Sequence, residues 1–175
     1  MHEIAITAVG SDRPGIVSAL TGALLRLGGN LEDARAALLR GSFAMVLVVS
    51  VPDEVGEDEI HAALQPTAYE LGLGLWIGPA APLAADGDGE GCVISVYGAD
   101  RPGIVNAFSH ALAERRANIV DLSSKLIGDP PIYVLGIAAT LPAGLDPEVL
   151  RAELTSLAKL TGVECSLSLD ADEVM

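Results

Sequence analysis

The sequence predicts an α+β protein built as two ferredoxin-like βαββαβ sandwiches, each an antiparallel sheet with its helices on one face. Three observations carry this reading. Residues 10–33 recur without a gap as residues 98–121, with twelve of the 24 aligned positions identical, so the chain holds one module twice. Within each copy the apolar period alternates between that of a strand and that of a helix in the order βαββαβ. Between the copies lies Gly78-Pro79-Ala80-Ala81-Pro82-Leu83-Ala84-Ala85-Asp86-Gly87-Asp88-Gly89-Glu90, which mixes Pro, Gly, Ala and acid and has no apolar period. The expected organisation is therefore a first domain over 1–78, a linker over 79–90 and a second domain over 91–175.

In the first copy, residues 3–9 alternate and are rich in β-formers. Residues 14–28 carry Ile16, Val17, Leu20, Leu24 and Leu27 at helical spacing, and 31–39 read as a second strand. Residues 42–51 form a nearly unbroken apolar strand, 58–71 set Ile60, Leu64, Ala68 and Leu71 on one helical face, and 73–77 close the unit. Pro66 falls inside that second helix, where a missing N–H predicts a kink or a split. The second copy repeats the order: strand 92–97, helix 102–116, strands 119–127 and 132–141, helix 147–160 and strand 163–169. Phe43-Ala44-Met45-Val46-Leu47-Val48-Val49 is apolar on both faces, which predicts a cover over the helix-free side of the sheet, from the sister domain or from a second chain in a homodimer.

Composition narrows the function classes. Half of the residues are hydrophobic, yet no run reaches the roughly 18 apolar residues of a membrane helix. The N-terminus begins Met1-His2-Glu3 without the charged and apolar stages of a signal peptide, so a cytoplasmic location is expected. A net charge of −14 with only two lysines, Lys125 and Lys159, leaves no basic stripe for a phosphate backbone, and an aromatic content of 3% leaves few stacking platforms. Direct nucleic-acid binding is disfavoured. Cys92 and Cys165 fall in strands with no metal-ligand spacing and read as buried reduced thiols. His2, His61 and His110 are scattered, and no nucleophile, acid–base pair or metal cluster converges, so no catalytic residue, metal or cofactor is expected.

The chemistry that remains lies in Gly10-Ser11-Asp12-Arg13-Pro14-Gly15 and its copy Gly98-Ala99-Asp100-Arg101-Pro102-Gly103. Pro14 and Pro102 suit the first helical position, and Asp12 and Asp100 suit the positive end of a helix. Gly15 and Gly103, expected at the second helical position, leave backbone N–H groups open to a small anion such as a carboxylate. Asp12 or Asp100 beside it could accept from an ammonium group, and the two together describe a free amino acid. Asn30 and Asn118 are the other polar residues kept in both copies, but each lies beyond the far end of its helix. A side-by-side pairing of modules would bring Asp12 to Asn118 and Asp100 to Asn30. A second reading of the asparagines, that they occupy left-handed turn positions after the helix, stays open.

The repeated DRPGIV loop, its spacing to Asn-Leu or Asn-Ile, and the βαββαβ order resemble the ACT domain, a small regulatory amino-acid-binding module. More narrowly, GSDRPGIV followed by GGNLEDARAALLRGSFAMVLVVS resembles the glycine cleavage system transcriptional repressor family. The resemblance implies a non-enzymatic regulator that senses a small amino acid, glycine or serine being favoured, and acts through a protein partner such as a transcription factor. It further implies ligand contacts at Asp12 and Asp100 and at the helix-start glycines Gly15 and Gly103, with Asn30 and Asn118 supplied by a neighbouring domain. Gly10, Ser11 and Leu31, with Gly98 and Ile119 in the second copy, complete the expected contact set. Ala99 for Ser11, Val120 for Glu32 and the longer turn Gly128-Asp129-Pro130-Pro131 are departures in the second copy that predict unequal sites. The alternative is a structural interaction module that assembles with a partner and has lost ligand binding. His110, Arg13 and Arg101 are expected to point to solvent, and the acidic run 53–59 to favour a helix start.

Overall fold

The computed structural model describes residues 1–81 and 89–169; the centre of the expected linker and the acidic tail 170–173 lie outside them. The chain divides into two compact units, Met1–Pro82 and Leu83–Met175. Unit 1 runs β1 (His2–Ser11), α1 (Ile16–Arg26), β2 (Asn30–Leu39), β3 (Ser42–Val51), α2 (Glu57–Leu71) and β4 (Leu73–Pro79). Unit 2 runs β5 (Gly91–Gly98), α3 (Ile104–Glu114), β6 (Asn118–Ile127), β7 (Ile132–Thr140), α4 (Pro147–Thr161) and β8 (Val163–Leu169). Each unit has one antiparallel four-stranded sheet, ordered β2-β3-β1-β4 and β6-β7-β5-β8. The α+β reading therefore holds in both halves.

Each core forms between one sheet face and its two helices. In unit 1, Ile4, Ile6 and Ala8 of β1 and Phe43, Met45, Leu47, Val49 and Val51 of β3 meet Ile16, Leu20 and Leu24 of α1 and Ile60 and Leu64 of α2. In unit 2, Ile94, Val96, Leu135 and Ile137 meet Ile104, Phe108, Leu112, Leu150 and Leu154. Strand alternation and helical spacing each turn one face inward, and each aliphatic chain so buried contributes about 1.5–3 kcal/mol. The opposite sheet face of unit 1 is also apolar, but Val9, Val46 and Trp76 remain about half exposed there. The cover that this pattern predicts is not provided within the unit.

Two local expectations are corrected. Helix α2 runs unbroken from Glu57 to Leu71 through Pro66. Pro66 and Ala62, the residue whose carbonyl loses its donor, are exposed, so water can satisfy that carbonyl while Ile60, Leu64 and Ala68 anchor both halves on the sheet. Helices α1 and α3 begin at Ile16 and Ile104, two residues later than the prolines predict. Pro14-Gly15 and Pro102-Gly103 form turns instead, and Gly15 and Gly103 are left-handed N-cap residues, each at φ 95°. That conformation asks for glycine on its own account.

Candidate functional site

The loop between β1 and α1 is set by close packing at one end and backbone handedness at the other. A Cβ on Gly10 would lie 2.8 Å from the Gly72 carbonyl oxygen, and one on Gly98 would lie 2.8 Å from Val163 Cγ1. Both glycines are therefore needed where the strand passes the turn after the second helix. A Cβ on Gly15 or Gly103 would meet nothing within 4 Å, so these glycines answer to backbone handedness and not to crowding, and the space beside each is open. Neither helix has a side-chain cap, and its first turn carries no acidic residue. The N–H groups of that first turn have no partner inside the helix and so offer donors to an anion. In unit 1 the loop is further held by the Asp12 N–H, which donates to the Gly41 carbonyl at 2.9 Å. Ser11 and the Asp12 and Asp100 side chains are exposed.

Asn30 and Asn118 open β2 and β6 and pair with Ser50 and Thr140. They are strand residues, and the left-handed positions after the helices belong to Gly28 (φ 74°) and Arg116 (φ 57°). This rules out the turn reading of the asparagines. Immediately after each, the register shifts, between Leu31 and Asp33 and between Ile119 and Asp121, marking a β-bulge at the same place in both copies. Leu31 is partly exposed, whereas Ile119 packs against the core. Within one unit the loop and the asparagine stand at opposite ends of an eleven-residue helix, about 16 Å by its rise per residue. No single unit brings Asp12 and Asn30, or Asp100 and Asn118, to one small ligand.

Several features of the site were not foreseen. Asn30 Nδ2 donates to Glu32 Oε1 at 3.1 Å, and Ser50 Oγ donates to the same oxygen at 2.5 Å. The Ser50 hydrogen bond, seconded by Asn30, holds the Glu32 carboxyl below its ordinary value. Arg101, expected in solvent, donates from Nη1 to the Thr161 carbonyl at 3.4 Å, placing its charge at the C-terminal end of α4. His110 is exposed as expected, and its Nε2 lies 3.6 Å from Glu114 Oε1. A cavity of about 350 Å³ in unit 1 is lined by Ser18, Thr21, Gly22, Leu24, Leu25, Gly29, Asn30, Leu31 and Val49. Another, of about 540 Å³, lies in unit 2 beside the loop and is lined by Tyr97, Gly98, Ala99, Pro131, Ile132, Gly162, Val163 and Glu164.

The cysteines stand apart from these features. Both thiols are free, Cys92 fully and Cys165 partly buried. Burial pushes Cys165 up to about 11 and raises Cys92 as well, which keeps both protonated and weakly nucleophilic at neutral pH. Among the described residues, no three His, Cys, Asp or Glu side chains gather as a metal ion would require, and no helix is long and apolar enough to cross a membrane.

Comparison with known proteins adds the ancestry of this arrangement. The ACT domain model matches twice, over residues 2–77 and 90–168. A UPF0237 protein of Methanopyrus kandleri is 35% identical over 74 residues, 42% of this chain and 82% of that protein. The glycine cleavage system transcriptional repressor of Escherichia coli is 43% identical over 49 residues, 28% of this chain and 26% of that protein. Among solved structures, an unknown protein from Galdieria sulphuraria superposes with a TM-score of 0.85 at 28% identity, covering 97% of this chain and 99% of the other. With the model matching both units over nearly their whole described length, the chain belongs to the ACT domain family and carries two ACT domains in tandem.

Proposed function

We propose that this chain is a regulatory protein that binds a small free amino acid and passes the binding state to a protein partner. The observation that carries the reading is the loop present in both units: an exposed aspartate, then a left-handed glycine with open space beside it, then a helix start with no side-chain cap. Donors for a carboxylate and an acceptor for an ammonium group thus stand within a few residues of each other. Asn30 or Asn118, supplied by a different module from the one that supplies the loop, completes each set, with Gly10, Ser11 and Leu31, or Gly98 and Ile119, around it. The glycine-lined loop favours glycine or serine at its polar end. The partner is a transcription factor, by analogy with the repressor that shares 49 aligned residues with this chain. A net charge of −14 supports a route through a protein partner over direct contact with DNA. Self-association into a homodimer through the apolar sheet face belongs to the same proposal.

Thermal unfolding against a panel of free amino acids tests this, on the parent chain and on Asp12→Ala/Asp100→Ala. A ligand at a hundredfold excess over its Kd stabilises by about 2.7 kcal/mol, a midpoint rise on the order of 5 °C for a chain of this size. The rise should vanish in the double variant. An unmoved midpoint with every amino acid at millimolar concentration would leave the scaffold reading in its place.

A further inference from the structure

The two modules differ at several helix positions beside the asparagine, and one of them changes the most in side-chain size. In unit 1 it is Gly22, in the middle of α1; in unit 2 the aligned residue is His110. Glycine inside a helix is destabilising by about 0.5–1 kcal/mol relative to alanine, and packing does not demand it here. A Cβ on Gly22 would meet only Arg26 Nη1, at 4.0 Å. What the absent side chain leaves open is the 350 Å³ cavity between α1 and the start of β2, with Asn30 among its lining residues. Its volume falls within the roughly 300–1,000 Å³ range of small-molecule sites.

The walls of this cavity state which ligand they fit. Leu24, Leu25, Leu31 and Val49 line it together with the carbon faces of Ser18 and Thr21. Ser18 Oγ donates to the Gly15 carbonyl at 3.0 Å and Thr21 Oγ1 to the Val17 carbonyl at 2.8 Å, so both hydroxyl hydrogens are spent on the helix itself. The Asn30 amide, one N–H already engaged by Glu32, is left as the polar group for a ligand. Glycine or serine in such a space would leave its apolar walls to water. We propose that the site using Asn30 selects an amino acid with a branched aliphatic side chain, which fills this cavity, and that Gly22 is its specificity-determining residue. At the Asn118 site the aligned helix residue is His110, and that site keeps the smaller ligand. This inference rests on the amino-acid-binding reading above and names the ligand class at one of its two sites.

Calorimetric titration of the full chain with leucine, valine, glycine and serine tests it, on the parent and on Asp12→Ala, which disables the Asn118 site, the latter also carrying Gly22→His or Asp100→Ala. Each methylene removed from water adds about fourfold in affinity, so leucine or valine should bind Asp12→Ala at least tenfold more tightly than glycine. In Gly22→His that ratio should collapse towards one, with the ligand-free melting midpoint showing that the helix is intact. Gly22→Ser carries the same prediction with a smaller loss if the histidine variant does not fold. Asp12→Ala protein that binds glycine or serine as tightly as leucine, with binding lost when Asp100→Ala is added, overturns the aliphatic assignment and leaves the sensor reading standing. Leucine binding that is unchanged in Gly22→His overturns Gly22 as the determinant. Failure of all four amino acids to bind overturns both readings.

Discussion

Units 1 and 2 share their backbone devices and differ in the side chains built on them. Both place a glycine at φ 95° before the first helix, both bulge two residues into the second strand, and both end the second helix on a left-handed glycine. Around those fixed points the chemistry diverges. Unit 1 ties Asn30 to Glu32 and Ser50, whereas unit 2 has Val120 where Glu32 stands. Unit 1 turns its hairpin in two residues, Arg40 and Gly41, and donates the Asp12 amide to that turn; unit 2 has a four-residue turn. Unit 2 joins the end of α3 to α4 through Arg115 and Glu153 at 2.7 Å, and caps α4 with Asp146. Positions that need a rare backbone geometry admit few residues, while the surfaces beside them tolerate many, so a duplicated module keeps its shape first and its chemistry second.

The largest expected effect breaks one core and spares the other. Leu20 and Phe108 occupy the same helix position, and both are fully buried. Leu20→Ala should cost about 2–5 kcal/mol and Phe108→Ala about 3–5 kcal/mol, since each leaves a cavity as well as losing its transfer term. Trp76, the single tryptophan, lies in β4 and reports on unit 1, whereas the backbone circular dichroism signal reports on both units. In Phe108→Ala the urea midpoint by circular dichroism should fall further than that by Trp76 fluorescence. Equal displacement of the two midpoints would break the picture of two separately packed cores.

A smaller effect separates the units at the end of their first helices. Gly28 in unit 1 and Arg116 in unit 2 both have positive φ, but only glycine is free of the Cβ penalty there. Arg116→Gly should stabilise by up to about 1 kcal/mol, the relief being partly offset by the greater freedom of glycine in the unfolded chain. Gly28→Arg should cost about 1–2 kcal/mol. If denaturation midpoints show Arg116→Gly to be destabilising, then the Arg116 side chain holds a contact that outweighs its backbone strain.

Every helix and strand was legible in the sequence, because the apolar period and the duplication specify them independently. The site was legible only in part. Asp12, Gly15 and Asn30 stand out because they recur in the second copy, but recurrence does not say why a residue is kept. Gly10 recurs for the carbonyl of Gly72, a contact made across the sheet and invisible in local pattern. The Pro-Gly pairs read as a helix start, and the left-handed backbone at Gly15 and Gly103 makes them a turn instead. Glu32 was visible as a difference between the copies, yet its role depends on the register that sets Asn30 opposite Ser50. Pro66 followed its propensity less than the burial of Ile60, Leu64 and Ala68 on either side of it.

The smallest expected effect concerns that difference at Glu32 and sharpens the comparison most. Glu32 is exposed, so its hydrogen bonds to Asn30 and Ser50 contribute little to overall stability, and Glu32→Val, which copies unit 2, should leave the denaturation midpoint nearly unmoved. Its effect lies in the orientation of Asn30. The folded-state carboxyl is held below its ordinary value, so the clamp is fully formed above the ordinary glutamate range and is lost as pH falls through the lowered folded value. The Asn30 side-chain amide resonance should therefore shift at a pH below that of an exposed glutamate in the parent chain, and should not titrate in Glu32→Gln or Glu32→Val. The Asn118 amide, with Val120 beside it, should not titrate at that pH in any of the three. A matching titration at Asn118 would show that the signal comes from some shared neighbour, and Glu32 would then no longer distinguish the two sites.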